Sequence, residues 1–157
     1  ISRAAGSFVF IGEIILNLEL EYNQVPESDF CGSCTRCIEA CPTEAILDNR
    51  TIHSERCISY QTIENKGEIS SDMKAKLSNR VFGCDICQDV CPWNRNALNH
   101  LEPGFNPSDG VMEMSRKRWQ ELASEEFDAL FDQSPLQRAG YAKIKDTVAT
   151  LQEDPKI

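Results

Sequence analysis

Eight cysteines in 157 residues carry the chemistry this chain can do. Four stand as Cys31-Gly-Ser-Cys34-Thr-Arg-Cys37-Ile-Glu-Ala-Cys41-Pro42. Three stand as Cys84-Asp-Ile-Cys87-Gln-Asp-Val-Cys91-Pro92, and Cys57 lies between the two runs. Soft thiolates at this spacing suit iron–sulfur chemistry. Each iron of a 4Fe–4S cube takes one outside thiolate, so eight sulfurs meet the demand of two cubes. Three thiolates separated by two residues each wrap one cube in a single loop, whose backbone N–H groups form an anion nest. The next cysteine, with three residues between, falls about one helical turn further on, and the proline after it redirects the chain.

The first run resembles that of bacterial two-cluster ferredoxins, in which the fourth cysteine serves the other cluster. That resemblance implies one cluster on Cys31, Cys34, Cys37 and Cys91, and a second on Cys41, Cys57, Cys84 and Cys87. Two competing readings carry less. Disulfides need an oxidising compartment and have no use for this spacing. Two four-cysteine zinc sites would use the C-x2-C pairs but not the third cysteine and the Cys-Pro ending.

Those cysteines must be positioned by a small scaffold. Cysteine is counted within the 41% hydrophobic share; without it the apolar content is thin for one core. The clusters are therefore expected to act as staples, with a poorly folded apo form. Thiols kept as ligands point to a reducing compartment, hence the cytoplasm. The formal charge of −9 argues against a general nucleic-acid-binding surface. The apolar run at residues 8–20 carries Glu13 and Glu19 and is too short and too charged to span a bilayer, so no membrane partner is expected. The abrupt Ile-Ser-Arg start, without a signal peptide, reads as a piece of a longer protein.

The expected fold class is α+β: a two-cluster ferredoxin-like module with an N-terminal strand segment and a C-terminal helical extension. Residues 7–20 read as a strand, buried over 8–11, with Gly12 as a bulge. Its partners lie outside the chain, or it is a local hairpin arm packed on the module. Polar residues around Pro26 read as a linker. A helical turn is expected at 35–40, and a small hairpin is expected around Asp48-Asn49-Arg50. Ser54 is read as the cap of a helix carrying Cys57 to about Asn65, with Gly67 as its stop, and Ser71 as the cap of another through Leu77. Residues 101–110 form an irregular crossing. Ser115 and Ser124 open two further helices, the second with Glu125 and Glu126 favourable to its dipole. Ser134-Pro135 opens a third to about Gln152, with Leu136, Tyr141, Ile144 and Val148 as its apolar stripe and Gly140 as its weak point.

Four longer words resemble epoxyqueuosine reductases. They are Gly6-Ser-Phe-Val-Phe-Ile-Gly-Glu-Ile14, Cys57-Ile-Ser-Tyr-Gln-Thr-Ile-Glu64, Gly83-Cys-Asp-Ile-Cys-Gln-Asp-Val-Cys-Pro-Trp-Asn94 and Ser134-Pro-Leu-Gln-Arg-Ala-Gly140. The resemblance implies a cytoplasmic oxidoreductase that converts epoxyqueuosine to queuosine at the tRNA anticodon, using cobalamin and two 4Fe–4S clusters. It implies that residues 1–25 end a cobalamin-binding domain, 26–100 form the ferredoxin-like domain and 101–157 a helical extension. The family's catalytic acid lies outside this chain, so no catalytic residue is assigned and the piece alone is expected to be inactive. What it retains is an electron path from a donor, not identified by the sequence, through the two clusters to the cobalamin.

Other residues have plainer readings. Trp93 shields a cluster or packs. Arg36, Arg56, Arg80 and Arg95 offset cluster charge rather than meet tRNA. Arg116-Lys117-Arg118 is a solvated basic run. His53 and His100 are not ligands, and Tyr60 and Thr62 pack a helix. Two other functions compete: a stand-alone two-cluster electron carrier, which leaves the first strand and last helices unexplained, and a nucleic-acid binder with structural clusters, which the acidic balance disfavours.

Overall fold

The computed structural model describes residues 1–2, 5–22, 28–107 and 109–151. The expected linker at Pro26 and the helix end at Gln152 lie outside them. Eight short α-helices are described, four in the cysteine-bearing half and four after it. In the first half are α1 (Arg36–Ala40), α2 (Ile58–Ile63), α3 (Ser71–Lys74) and α4 (Ile86–Asp89). Pairing of extended chain is confined to two isolated bridges, Ser2 with Gly6 and Ile46 with Ile52. The second is the small hairpin expected around Asp48-Asn49-Arg50.

The N-terminal strand is a correction. Among the described residues 8–16 take no regular structure, and Phe10, Ile11 and Ile15 are 89%, 89% and 96% exposed. The α+β expectation thus becomes a helix-and-loop fold with bridges but no strand among the described residues. The physical reason is that a strand's N–H and C=O groups need a neighbour. None of the described backbone lies in register beside this segment.

Several helix boundaries also moved. Ser54 opens a 3-10 turn with no side-chain cap. Cys57 then stands extended at the head of α2 rather than inside a helix. Ser70, not Ser71, caps α3, its hydroxyl accepting the Met73 N–H at 3.3 Å. Ser115 caps α5 (Arg116–Glu121) as expected, accepting from Arg118 N–H. Ser124 is the first residue of α6 (Ser124–Phe131), after an Ala123 cap. Gly140, at φ 83°, splits the long third helix into α7 (Leu136–Ala139) and α8 (Tyr141–Val148).

The expected stripe does pack. Ile144 and Val148 join Leu122, Phe127 and Phe131 in one buried cluster, with Leu136, Tyr141 and Trp119 against it. Phe131 stacks on Trp119 at 5.6 Å and meets Phe127 at 5.1 Å. This helical core is tied to the cysteine half by several contacts. The buried Thr147 hydroxyl lies 2.9 Å from the Val81 carbonyl, Lys74 pairs with Asp146 at 2.5 Å, and Arg138 grips Glu64 with two nitrogens at 2.6 and 2.8 Å. Among the described residues no helix is long and apolar enough to cross a membrane.

Candidate metal centre

The two cysteine runs repeat one local conformation. Thr35 before α1 has φ −120°, ψ 6°, and Asp85 before α4 has φ −114°, ψ 12°. After the helices Cys41 has φ −71°, ψ 112° and Cys91 has φ −69°, ψ 123°. Proline at the next position disfavours the helical region for both cysteines. Each helix therefore stops where its last cysteine turns away, and α1 packs directly against α4.

That packing brings distant sulfurs together. Cys31, Cys34, Cys37, Cys87 and Cys91 line one open cavity of about 280 Å³. Burial pushes the Cys87 thiol up, and charge at Cys84, Cys57 and Cys37 pushes it further. Burial also pushes the Cys41 thiol up, but the Thr43 hydroxyl and the N–H groups of Ala45, Thr43 and Ile46 outweigh it and hold that thiol below its ordinary value. The Ala45 N–H lies 3.3 Å from the Cys41 sulfur. All eight cysteines are free and half-buried. Among the described residues no three Cys, His, Asp or Glu side chains converge as ligands of one ion; five of the eight cysteines border one cavity. A thiolate set spread in this way fits a cube, which offers each sulfur its own iron.

The cavity walls are closed by Trp93, read above as a shield or packing residue, and by residues that spacing did not reveal. Trp93, 38% exposed, donates its indole N–H to the Phe30 carbonyl at 2.9 Å and packs on the Phe30 ring, closing one loop onto the other. Asn94 takes the Ser7 N–H at 2.7 Å and donates to the Ser7 hydroxyl and the Gln88 carbonyl, both at 2.8 Å. Ser7 and Gln88 line the cavity, so the N-terminal segment forms part of its wall. Thr62 accepts the Gly83 N–H at 3.0 Å, holding α2 to the residue before Cys84.

Gly6 is required at this latch. It sits at φ 67°, and an added Cβ would meet Asn94 Oδ1 at 2.0 Å and the Trp93 carbonyl at 2.8 Å. Gly6→Ala is expected to cost about 1–3 kcal/mol through left-handed strain and the displaced Asn94. Denaturant unfolding of the cluster-loaded protein checks this, and an unchanged midpoint would refute it.

The basic residues have intramolecular partners or line depressions. Arg116 donates to the Leu151 carbonyl, Lys117 pairs with Glu121 at 3.7 Å, and Arg118 pairs with Glu126. Arg36 lines the cavity, while Arg56 lies in a separate polar depression with Thr43, Glu44, Ser70 and Lys76. His53 and His100 are exposed, and His100 meets the Glu102 carbonyl and the Phe105 ring.

Comparison with known proteins agrees with this site. Residues 30–94 match the model of a 4Fe-4S double cluster binding domain. Over 96% of its length the chain is 43% identical to an epoxyqueuosine reductase of Cellulophaga algicola, covering 49% of that protein. It overlays an epoxyqueuosine reductase structure from Bacillus subtilis with a TM-score of 0.73 and 33% identity, covering 83% of this chain and 35% of the other. A second solved epoxyqueuosine reductase, crystallised with an epoxyqueuosine-modified tRNA-Tyr stem loop, overlays equally well over 82% of this chain and 34% of its own. The chain spans about half the length of the curated relatives it matches. With the likeness running through both cysteine loops and the helices beyond them, the chain belongs to the epoxyqueuosine reductase family.

Proposed function

We propose that this chain is the electron-relay portion of a cobalamin-dependent oxidoreductase that converts epoxyqueuosine to queuosine in tRNA. Cys31, Cys34, Cys37 and Cys91 would hold one 4Fe–4S cluster, and Cys41, Cys57, Cys84 and Cys87 the other. Residues 26–100 form the two-cluster domain, 101–157 the helical extension, and 1–25 the end of the cobalamin domain. When bound, the clusters supply one-electron transfer, and the cobalamin the reductive chemistry at the epoxide.

The chain's own residues hold and shield. Trp93 and Phe30 narrow water's access to the cavity. The Ala45 N–H and Thr43 hydroxyl hold negative charge at Cys41, which tunes a cluster's potential. Asn94 holds the N-terminal segment against the cavity wall, and the exposed apolar side chains that follow, Phe10 to Leu20, would be covered by the cobalamin domain. The tRNA anticodon region and an electron donor are the partners, in the cytoplasm.

What carries the reading is the extent of the likeness, which covers 96% of the chain and not the cysteine loops alone. A stand-alone two-cluster carrier has no use for the N-terminal segment or the last helices. The longer natural protein, purified anaerobically with both clusters and cobalamin and given a reductant, is expected to turn epoxyqueuosine in tRNA into queuosine. Nucleoside mass spectrometry reads the product; fully loaded protein that makes none would overturn the proposal.

A further inference from the structure

Arg50 stands out from its surroundings. It closes the Asp48-Asn49-Arg50 turn at φ 63°, a left-handed conformation that disfavours any residue with a Cβ. Strain of this kind persists where the surrounding structure enforces it, and it gathers at functional sites. Here the guanidinium donates to Asp29 Oδ2 at 2.7 Å and to the Gly32 carbonyl. The other oxygen of Asp29 accepts the Cys31 N–H at 2.9 Å. The turn therefore clamps the first cysteine loop through a chain of charged hydrogen bonds, which are stronger than neutral ones.

Arg50 also lines the cavity shared by Cys31, Cys34, Cys37, Cys87 and Cys91. Its guanidinium is held above its ordinary value by the Asp29 hydrogen bond first, and also by charge at Cys31 and Cys37. Its positive charge therefore acts on two of the sulfurs.

We propose that Arg50 is a positioning residue that raises the reduction potential of the cluster on Cys31, Cys34, Cys37 and Cys91, by fixing the 29–32 loop and holding permanent positive charge beside it. The inference rests on the ligand partition proposed above. One electron from the donor adds one negative charge to the cluster, and a fixed cation stabilises that reduced form more than the oxidised one. Arginine suits the role because its charge is permanent and its fork holds a carboxylate and a carbonyl together.

The test is a potentiometric titration of the cluster-loaded full-length protein, followed by electron paramagnetic resonance of each cluster. Arg50→Gln is expected to make one cluster about tenfold harder to reduce, about 59 mV for one electron, and to leave the other in place. Arg50→Lys should recover most of that shift. Asp29→Asn, which removes the opposing charge, should move the same cluster the other way. The role is overturned if loaded Arg50→Gln moves neither cluster or both alike. If Arg50→Gln fails to load, Asp29→Asn decides: potentials equal to wild type overturn the role, and an upward shift of one cluster supports it. A wild-type protein with fewer than two clusters would overturn the ligand partition, and the role of Arg50 with it.

Discussion

Serine at position 91 is expected to abolish the cluster served by Cys31, Cys34 and Cys37, and to spare the one nearest to Cys91 in sequence. Iron should fall from about eight to about four per chain. The resonance that survives should match that left by Cys37→Ser, while Cys41→Ser and Cys57→Ser should leave the complementary one. The expectation follows from the ferredoxin-type spacing, in which the cysteine before the proline serves the other cluster. Pro92 turns Cys91 away from helical conformation, and Cys91 then lines the cavity of the first loop, together with Cys31, Cys34, Cys37 and Cys87. If Cys91→Ser and Cys84→Ser removed the same cluster, the exchange of ligands between the halves would be wrong. Each lost cluster should also loosen the fold around it, because ligand binding and folding are one equilibrium in a small metal-stapled domain.

Truncating Phe127 to alanine should cost about 3–5 kcal/mol, as for a fully buried aromatic ring. Phe127 is 0% exposed, packs on Phe131 at 5.1 Å and on Tyr141 at 5.8 Å, and sits among Leu122, Ile144 and Val148. Tyr141 cannot swing into the gap without breaking the hydrogen bond that its hydroxyl donates to the Leu122 carbonyl at 3.0 Å. Anaerobic denaturant unfolding followed by circular dichroism measures the loss. Iron content should stay unchanged, since no ligand lies in that core. A loss under about 1 kcal/mol would mean that the α6–α8 core is loosely packed.

Local chemistry made some of this visible in the residues themselves. The Cys-Pro endings fix ψ at Cys41 and Cys91, Ser115 caps the helix after it, and the Ile144–Val148 face repeats at helical spacing. What stayed hidden depends on partners far along the chain. Asn94, Gln88 and Ser7 look like ordinary polar residues until the fold sets them at 2.7–2.8 Å. Arg50 reads as a turn residue until its fork meets Asp29. Ser54 offers the cap chemistry of a helix that would carry Cys57, yet the chain keeps Cys57 extended ahead of α2. The 8–20 run has strand composition, but composition cannot supply the neighbouring backbone that a strand needs. Gly140 outweighed the apolar stripe that ran across it, because its left-handed φ is incompatible with a continuous helix.

The two tryptophans divide the protein's intrinsic light between its two halves. Trp93 borders the cysteine cavity, where a bound cluster would quench its emission by electron or energy transfer. Trp119 lies stacked on Phe131 in the helical core. Stripping iron should therefore brighten Trp93 at once, whereas the colour of Trp119 emission should shift only when the helices part. Fluorescence alone can then time cofactor loss against unfolding.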